Sequence, residues 1–216
     1  MSSGGPDRTD AEAELLAATG AVLAEHGVAG TTTQKIADEW GRSQSLVHYY
    51  YDTKEDLVVA WIDALRESQR ERYAERADDP PLDRIEWAAT ADLATGDGAH
   101  PDEDAARSVS ALYDLHGEAP HNDRYRDALD AFEADGREFL ADAVRDGVDA
   151  GTFRDVDPDA VSLFLLSASD GALLRTVSLG RTGDAPGFRA AAEQYVREVL
   201  LTEDARESWG GFAEVA

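Results

Sequence analysis

Residues Thr32 to Leu57, TTQKIADEWGRSQSLVHYYYDTKEDL, constrain this chain more than any other stretch. Thr32 has the chemistry of a helix N-cap, and Ile36, Ala37 and Trp40 follow at the spacing of one buried helical face. Gly41 then stops the helix. Ser43 can cap a second helix at once, with Val47, Tyr50 and Tyr51 at i, i+3 and i+4 as its inner stripe. Thr53 and Asp56 form a T-x-x-acid capping box that opens a third. Two short helices separated by a glycine turn and braced by a third are the layout of a helix-turn-helix. In that layout Gln44, Ser45, Leu46, His48 and Tyr49 lie nearer the outer face.

Charge singles out the same stretch. The chain of 216 residues carries 45 acids and 20 bases, a net −25. Residues 26–54 hold three acids (Asp38, Glu39, Asp52) and three bases (Lys35, Arg42, Lys54), so they are neutral. Residues 55–216 hold thirty-seven acids against sixteen bases. A neutral window in an acidic chain fits a surface that meets DNA phosphate. Elsewhere the acids are spread singly along helical patterns, as on the solvated surfaces of proteins from salt-loving microbes. There is no cysteine, which removes disulfides and thiolate metal sites. No leader-like N-terminal stretch and no run of ~20 apolar residues is apparent, so the expected location is cytoplasmic, with no membrane partner.

The rest of the chain also reads as helix, with no alternating β-branched runs or Asn-Gly hairpins. Residues 1–8 are expected to be disordered. Thr9 with Glu12 is a capping box for a first helix that carries Leu15, Leu16, Val22, Leu23 and His26 and ends at Gly27; Gly20 within it costs ~1 kcal/mol relative to alanine. The helix begun at Thr53 runs with Leu57, Trp61, Ala64 and Leu65 to a break at 78–81. A fifth helix spans 82–94 and a loop 95–101. A sixth, 102–116, has Val109, Leu112, Tyr113 and His116 on one side. The seventh runs from Tyr125 to about Gly147. Asp157 and Pro158 combine a cap with an N1 proline. They open an eighth helix, 161–179, apolar around most of its circumference and so buried or at a subunit interface. A ninth, 187–201, precedes a loose tail with Trp209 and Phe212.

From Thr32 to Leu57 the residues resemble the TetR family of one-component transcriptional regulators. The family pattern is Thr, three residues, Ile-Ala, two residues, Ala-Gly-Val-Ser, a Gly-Thr-Leu-Tyr-Tyr-Tyr-Phe-like run, then Ser/Thr-Lys-Glu-x-Leu. Here it is met without a gap by Thr32, Ile36-Ala37, Gly41, Ser43, Tyr49 to Tyr51, Thr53-Lys54-Glu55 and Leu57. Residues 143–175 resemble the junction of the family's seventh and eighth helices. Trp40, Arg42 and His48 depart from the pattern, standing where a small residue, a valine and a tyrosine are usual. Arg42 can pair with Glu39 or reach a phosphate. Trp40 can fill core against Leu23 or Trp61.

The resemblance implies an all-α fold of about nine helices. A head over 1–54 would bind DNA, a body over 55–202 would bind ligand and dimerise, and 203–216 would be a tail. It implies a ligand-released repressor that grips a palindromic operator as a homodimer. Thr32, Ser43, Tyr49, Tyr50 and Lys54 match its phosphate contacts, with Arg42 beside them. Gln44, Ser45, Leu46, His48 and Tyr49 would face base edges, Gln44 suiting adenine and Leu46 a thymine methyl. An unknown small-molecule effector would sit among Trp87, Tyr113, His116, Phe132 and Phe139. The last two helices would pair across a two-fold through Phe164, Asp170, Leu173, Leu174, Phe188, Tyr195 and Val199, with Asp170 answered by Arg175 or by a symmetry mate. No catalysis, cofactor or metal is implied: the five histidines (26, 48, 100, 116, 121) lack metal spacing and no nucleophile motif occurs. Two other readings fit the charge and the helices: a ligand-binding module that has lost DNA binding, and an all-α enzyme using acid pairs.

Overall fold

The structure is a computed structural model and describes residues 8–90 and 103–212. The expected disorder of the first residues, the helix end at 91–94 with Leu93, and the loop 95–101 with His100 lie outside the described residues. So do the side chain of Thr9 and with it the first capping box.

Among the described residues there are ten α-helices and no strand. They are α1 (Arg8–Gly30), α2 (Thr33–Trp40), α3 (Gln44–Tyr50), α4 (Lys54–Glu75) and α5 (Pro81–Thr90). Then come α6 (Glu103–Glu118), α7 (Asp123–Asp149), α8 (Pro158–Leu179), α9 (Ala185–Tyr195) and α10 (Glu203–Ser208). The chain divides into two compact units, 1–69 with 102–132 and 70–101 with 133–216, a division that falls within α4 and α7.

In the first unit α1 packs against α2 and α6. Its helical path breaks at Gly27, whose φ of 66° favours glycine. Leu15, Ala18, Val22, Ile36, Ala37, Trp40, Val47 and Leu57 form one core cluster. Trp40 is thus core as expected, but not against Leu23 or Trp61. Those two belong to a second cluster with Val58, Ile62, Ala111, Leu115, Tyr125 and Leu129. The cost of Gly20 has its reason here, since a Cβ would lie 2.5 Å from Trp61 Nε1. Two expected inner residues turn outward, His26 on α1 and His116 on α6, and among the described side chains of α6 Ala111 and Leu115 are the buried ones. That helix also runs through Gly117 to Glu118 before a 3₁₀ turn at Ala119–His121.

The second unit is built round Ile85, Leu140, Val144, Phe153, Leu165, Val196, Leu200 and Leu201. Asp157 Oδ1 accepts the amides of Asp159 and Ala160, as its place before Pro158 predicts. The loop after α7 is fixed by Phe153, whose ring fills the space a Cβ on Gly147 would need. Phe153 bridges to Leu201, and Arg154 N donates to Leu200 O at 2.8 Å. A π-helical turn at Val196–Leu200 ends α9. The tail is not loose up to Phe212: Thr202 caps α10, Trp209 packs on the core, and Phe212 is buried in it. Two aromatics in a short polar tail were the signal for this.

By length and composition α8 could cross a membrane, with a mean hydropathy of 1.3 over its most apolar window, of which 22% is buried. It is not an unbroken apolar run, since Asp159, Asp170 and Arg175 interrupt it. Val161, Ser162, Leu165, Leu173 and Thr176 face the interior of this unit, while Leu163, Phe164, Leu174 and Leu179 are exposed.

Candidate nucleic-acid interface

The turn between α2 and α3 is fixed by its caps. Thr32 is extended and its hydroxyl accepts Lys35 N at 3.2 Å. Gly41 takes the left-handed conformation, φ 68°, and its amide returns to Ala37 and Asp38. Ser43 then caps α3, accepting Leu46 N at 3.3 Å. Buried Val47 anchors α3 to the core. Thr53 and Asp56 close the expected box, Asp56 accepting the Thr53 amide at 2.9 Å and Thr53 accepting the Asp56 amide at 3.1 Å. The Thr53 hydroxyl, and after it Arg124, hold the Asp56 carboxyl below its ordinary range.

Ser45, His48 and Tyr49 are exposed on α3, Tyr49 at 67%. Two residues expected beside them are drawn inward. Gln44 Nε2 donates to Thr33 Oγ1 at 2.8 Å, because the first residue of α3 lies against the start of α2. Leu46 packs partly on the core of the head. Tyr50 sets its edge against Trp40 at 5.9 Å and meets Tyr49 at 5.3 Å. Tyr51 is inward, and burial with a 2.7 Å hydrogen bond to Glu12 pushes its hydroxyl up from its ordinary value.

The three cations of the window are all partnered within the chain. Lys35 Nζ donates to Gly30 O at 2.9 Å and Lys54 Nζ to Val28 O at 2.9 Å. Both lysines thus bond carbonyls at the broken end of α1, where Val28 O also accepts the Thr31 amide at 3.4 Å. Arg42 faces Glu14 at 3.8 Å rather than Glu39, and Trp40 Nε1 donates to the same carboxylate at 3.4 Å. Asp114 of α6 accepts the Val28 amide at 2.5 Å, beside the Gly27 break. Glu14 and Asp114 gave no sequence signal, being two acids among many, and Glu12 was read only as a capping residue.

The residues expected round an effector fall into groups. In the second unit Trp87 and Phe139 form a trio with Tyr73. Tyr73 stacks on Phe139 at 4.5 Å, and Trp87 sets its edge to each at 5.8 Å. Arg76 covers the Trp87 ring at 4.4 Å, and buried Arg84, ion-paired with Asp146, lies 6.0 Å from Phe139. In the first unit Tyr113 and His116 are 6.0 Å apart, and Phe132 packs on the second cluster. Tyr73 was missed because it sits in a charged run, where it is the one aromatic.

Of the residues expected at a subunit interface, Phe164, Leu174 and Val199 are exposed, Phe164 at 50%. Phe164 packs on Tyr195 at 4.6 Å. Phe188 is half-buried on the core of this unit, and Asp170 is half-buried on α8. Leu173, at 9% exposure, is mostly covered by its own chain. Arg175, expected beside Asp170, pairs with Asp184 at 3.2 Å.

Two family models match the sequence. Residues 15–61 match the bacterial regulatory proteins of the tetR family, and residues 97–201 match the C-terminal region of BetI-type transcriptional repressors. A TetR transcription regulator from Haloarcula marismortui is 32% identical, with 89% of this chain and 99% of that one covered and a TM-score of 0.77. This chain belongs to the TetR family. As a TetR-family transcriptional regulator it has a DNA-binding N-terminal head and a ligand-binding C-terminal body. The same fold recurs in a transcriptional regulator from Saccharomonospora viridis in complex with choline, at 21% identity, 91% and 100% coverage and a TM-score of 0.77. It recurs also in FadR from Bacillus subtilis in complex with stearoyl-CoA, at 15% identity, 83% and 96% coverage and a TM-score of 0.69. A comparison of the sequence with curated proteins gives no match.

Proposed function

We propose that this TetR-family regulator is a repressor that binds a palindromic operator as a homodimer and leaves it when a small molecule binds the body. The observation that carries the reading is the α2–α3 unit: two capped helices about a left-handed Gly41, with Ser45, His48 and Tyr49 exposed on the second. Residues so placed at the start of a recognition helix meet base edges in the major groove, with the Thr32 region and Tyr50 toward phosphate. Gln44 would exchange its bond to Thr33 for one to adenine, and Lys54 and Arg42 would turn outward only by leaving their present partners. Support for the dimer comes from Leu163, Phe164, Leu174, Leu179 and Val199, exposed apolar residues on α8 and in the turn after α9. A two-fold contact would cover them, which makes a subunit interface rather than a membrane the use of α8. The acidic body and the Haloarcula relative support a cytoplasm at high salt.

The test is operator selection from a random-sequence duplex pool, followed by fluorescence anisotropy and light scattering. A selected palindrome bound by two chains supports the reading. Release by choline or by an acyl-CoA, the ligand types held by two structural relatives, would assign the effector class. A folded protein that selects no sequence would overturn the operator reading and leave the ligand-binding module or the all-α enzyme.

A further inference from the structure

The helix offered to the major groove, Gln44–Tyr50, is QSLVHYY and holds no Lys, Arg, Asp or Glu. Cations therefore have to come from its surroundings, where each already has a partner. Lys35 and Lys54 are bound to the carbonyls of Gly30 and Val28, and Arg42 faces Glu14. Arg124, at the start of α7, pairs with Asp56 at 2.7 Å. Asp38, Glu39 and Asp52 are exposed in the same window.

We infer, resting on the operator reading above, that operator binding by this head releases few counterions, so that its affinity is carried by uncharged contacts and changes little with salt. Counterion release lowers log affinity by about 0.9 per phosphate neutralised for each decade of salt. If Lys35, Arg42 and Lys54 of both heads in a dimer each neutralised a phosphate, a tenfold rise in salt would weaken binding roughly 10⁵-fold. Freeing either lysine also costs a hydrogen bond that closes the end of α1, which favours leaving it in place. Acids beside the duplex act in the same direction: cations lost from DNA are replaced by cations taken up near Asp38, Glu39 and Asp52.

The experiment measures affinity for a duplex selected from a random pool, from about 0.2 M to about 2 M KCl, for the wild type and for Lys35→Gln and Lys54→Gln. Glutamine keeps a donor for each carbonyl, and circular dichroism checks the fold. The expected result is a loss below about 100-fold over that decade, with the same salt dependence in both variants. A loss near 10⁵-fold, or a dependence that flattens in either variant, overturns the inference by showing phosphate neutralisation. If Lys54→Gln fails to fold, the wild-type slope alone still decides. A folded protein with no selected sequence at any salt overturns the operator reading itself, and the inference with it.

Discussion

Replacing Gly20 by alanine sets two opposed effects against each other. Gly20 is buried near the middle of α1. Alanine at an ordinary helix position would add about 1 kcal/mol, through propensity and a less flexible unfolded chain. Here the new methyl would lie 2.5 Å from Trp61 Nε1, 3.2 Å from Cε2 and 3.4 Å from Cδ1. The indole is rigid, buried, and packed in a cluster with Leu23, Val58 and Ile62, so it cannot swing aside. Overpacking of this kind costs about 1–3 kcal/mol, and the shortness of the contact puts it at the upper end. The expected outcome for Gly20→Ala is a net loss of about 1–2 kcal/mol. Urea unfolding followed by far-UV circular dichroism should show a lower midpoint with an unchanged slope. In a Trp61→Phe background the same change should be neutral or stabilising, since the ring nitrogen that makes the contact is gone. A higher midpoint for Gly20→Ala in the wild type would refute the close approach of α1 and α4 at this point.

Asp56→Asn should destabilise the chain at neutral pH. The carboxyl is held low in the folded state, so its contribution is present above the ordinary carboxylate value of about 4 and is lost as pH falls through the folded value. The stability gap between variant and wild type should accordingly close in acid titrations of the melting temperature. Phe212→Ala should cost about 3 kcal/mol, read as a lower urea midpoint, because the tail aromatic is part of the core. Phe164→Glu with Leu174→Glu should yield folded monomers by light scattering and remove operator binding; a dimer that survives both changes would place the interface elsewhere. Alkaline titration should find Tyr125 ionising late, since burial, with Glu55 and Glu118 nearby, pushes it up to about 12. Any stability it brings is present in full below the ordinary value of about 10 and is lost as pH rises from there through about 12.

The head was legible in the sequence because its rules are local. Thr32, Gly41, Ser43 and the Thr53–Asp56 pair each specify a cap or turn within four residues, and all are present. The partners of the cations were not legible. Lys54 meets Val28 and Arg42 meets Glu14 across 26 and 28 positions, and in a chain with 45 acids no single carboxylate stands out as a partner. Helical periodicity also misassigns residues near the edge of a stripe. His116 and Leu115 are neighbours on α6, and only the position of α1 decides which is covered. The tail misled for a related reason: Trp209 and Phe212 are too few to show periodicity, yet burying one of them suffices to hold the segment.

The whole sequence contains two lysines, Lys35 and Lys54, and both sit in the head with their ammonium groups on backbone carbonyls. Every side-chain amine of this protein is therefore a reporter on one small region. A reagent that acylates lysine should react with the folded chain slowly and report the opening of the end of α1, while the body stays silent. The same scarcity means that enzymatic acetylation of any lysine here would fall on a residue that closes the end of α1 and lies beside the reading helix.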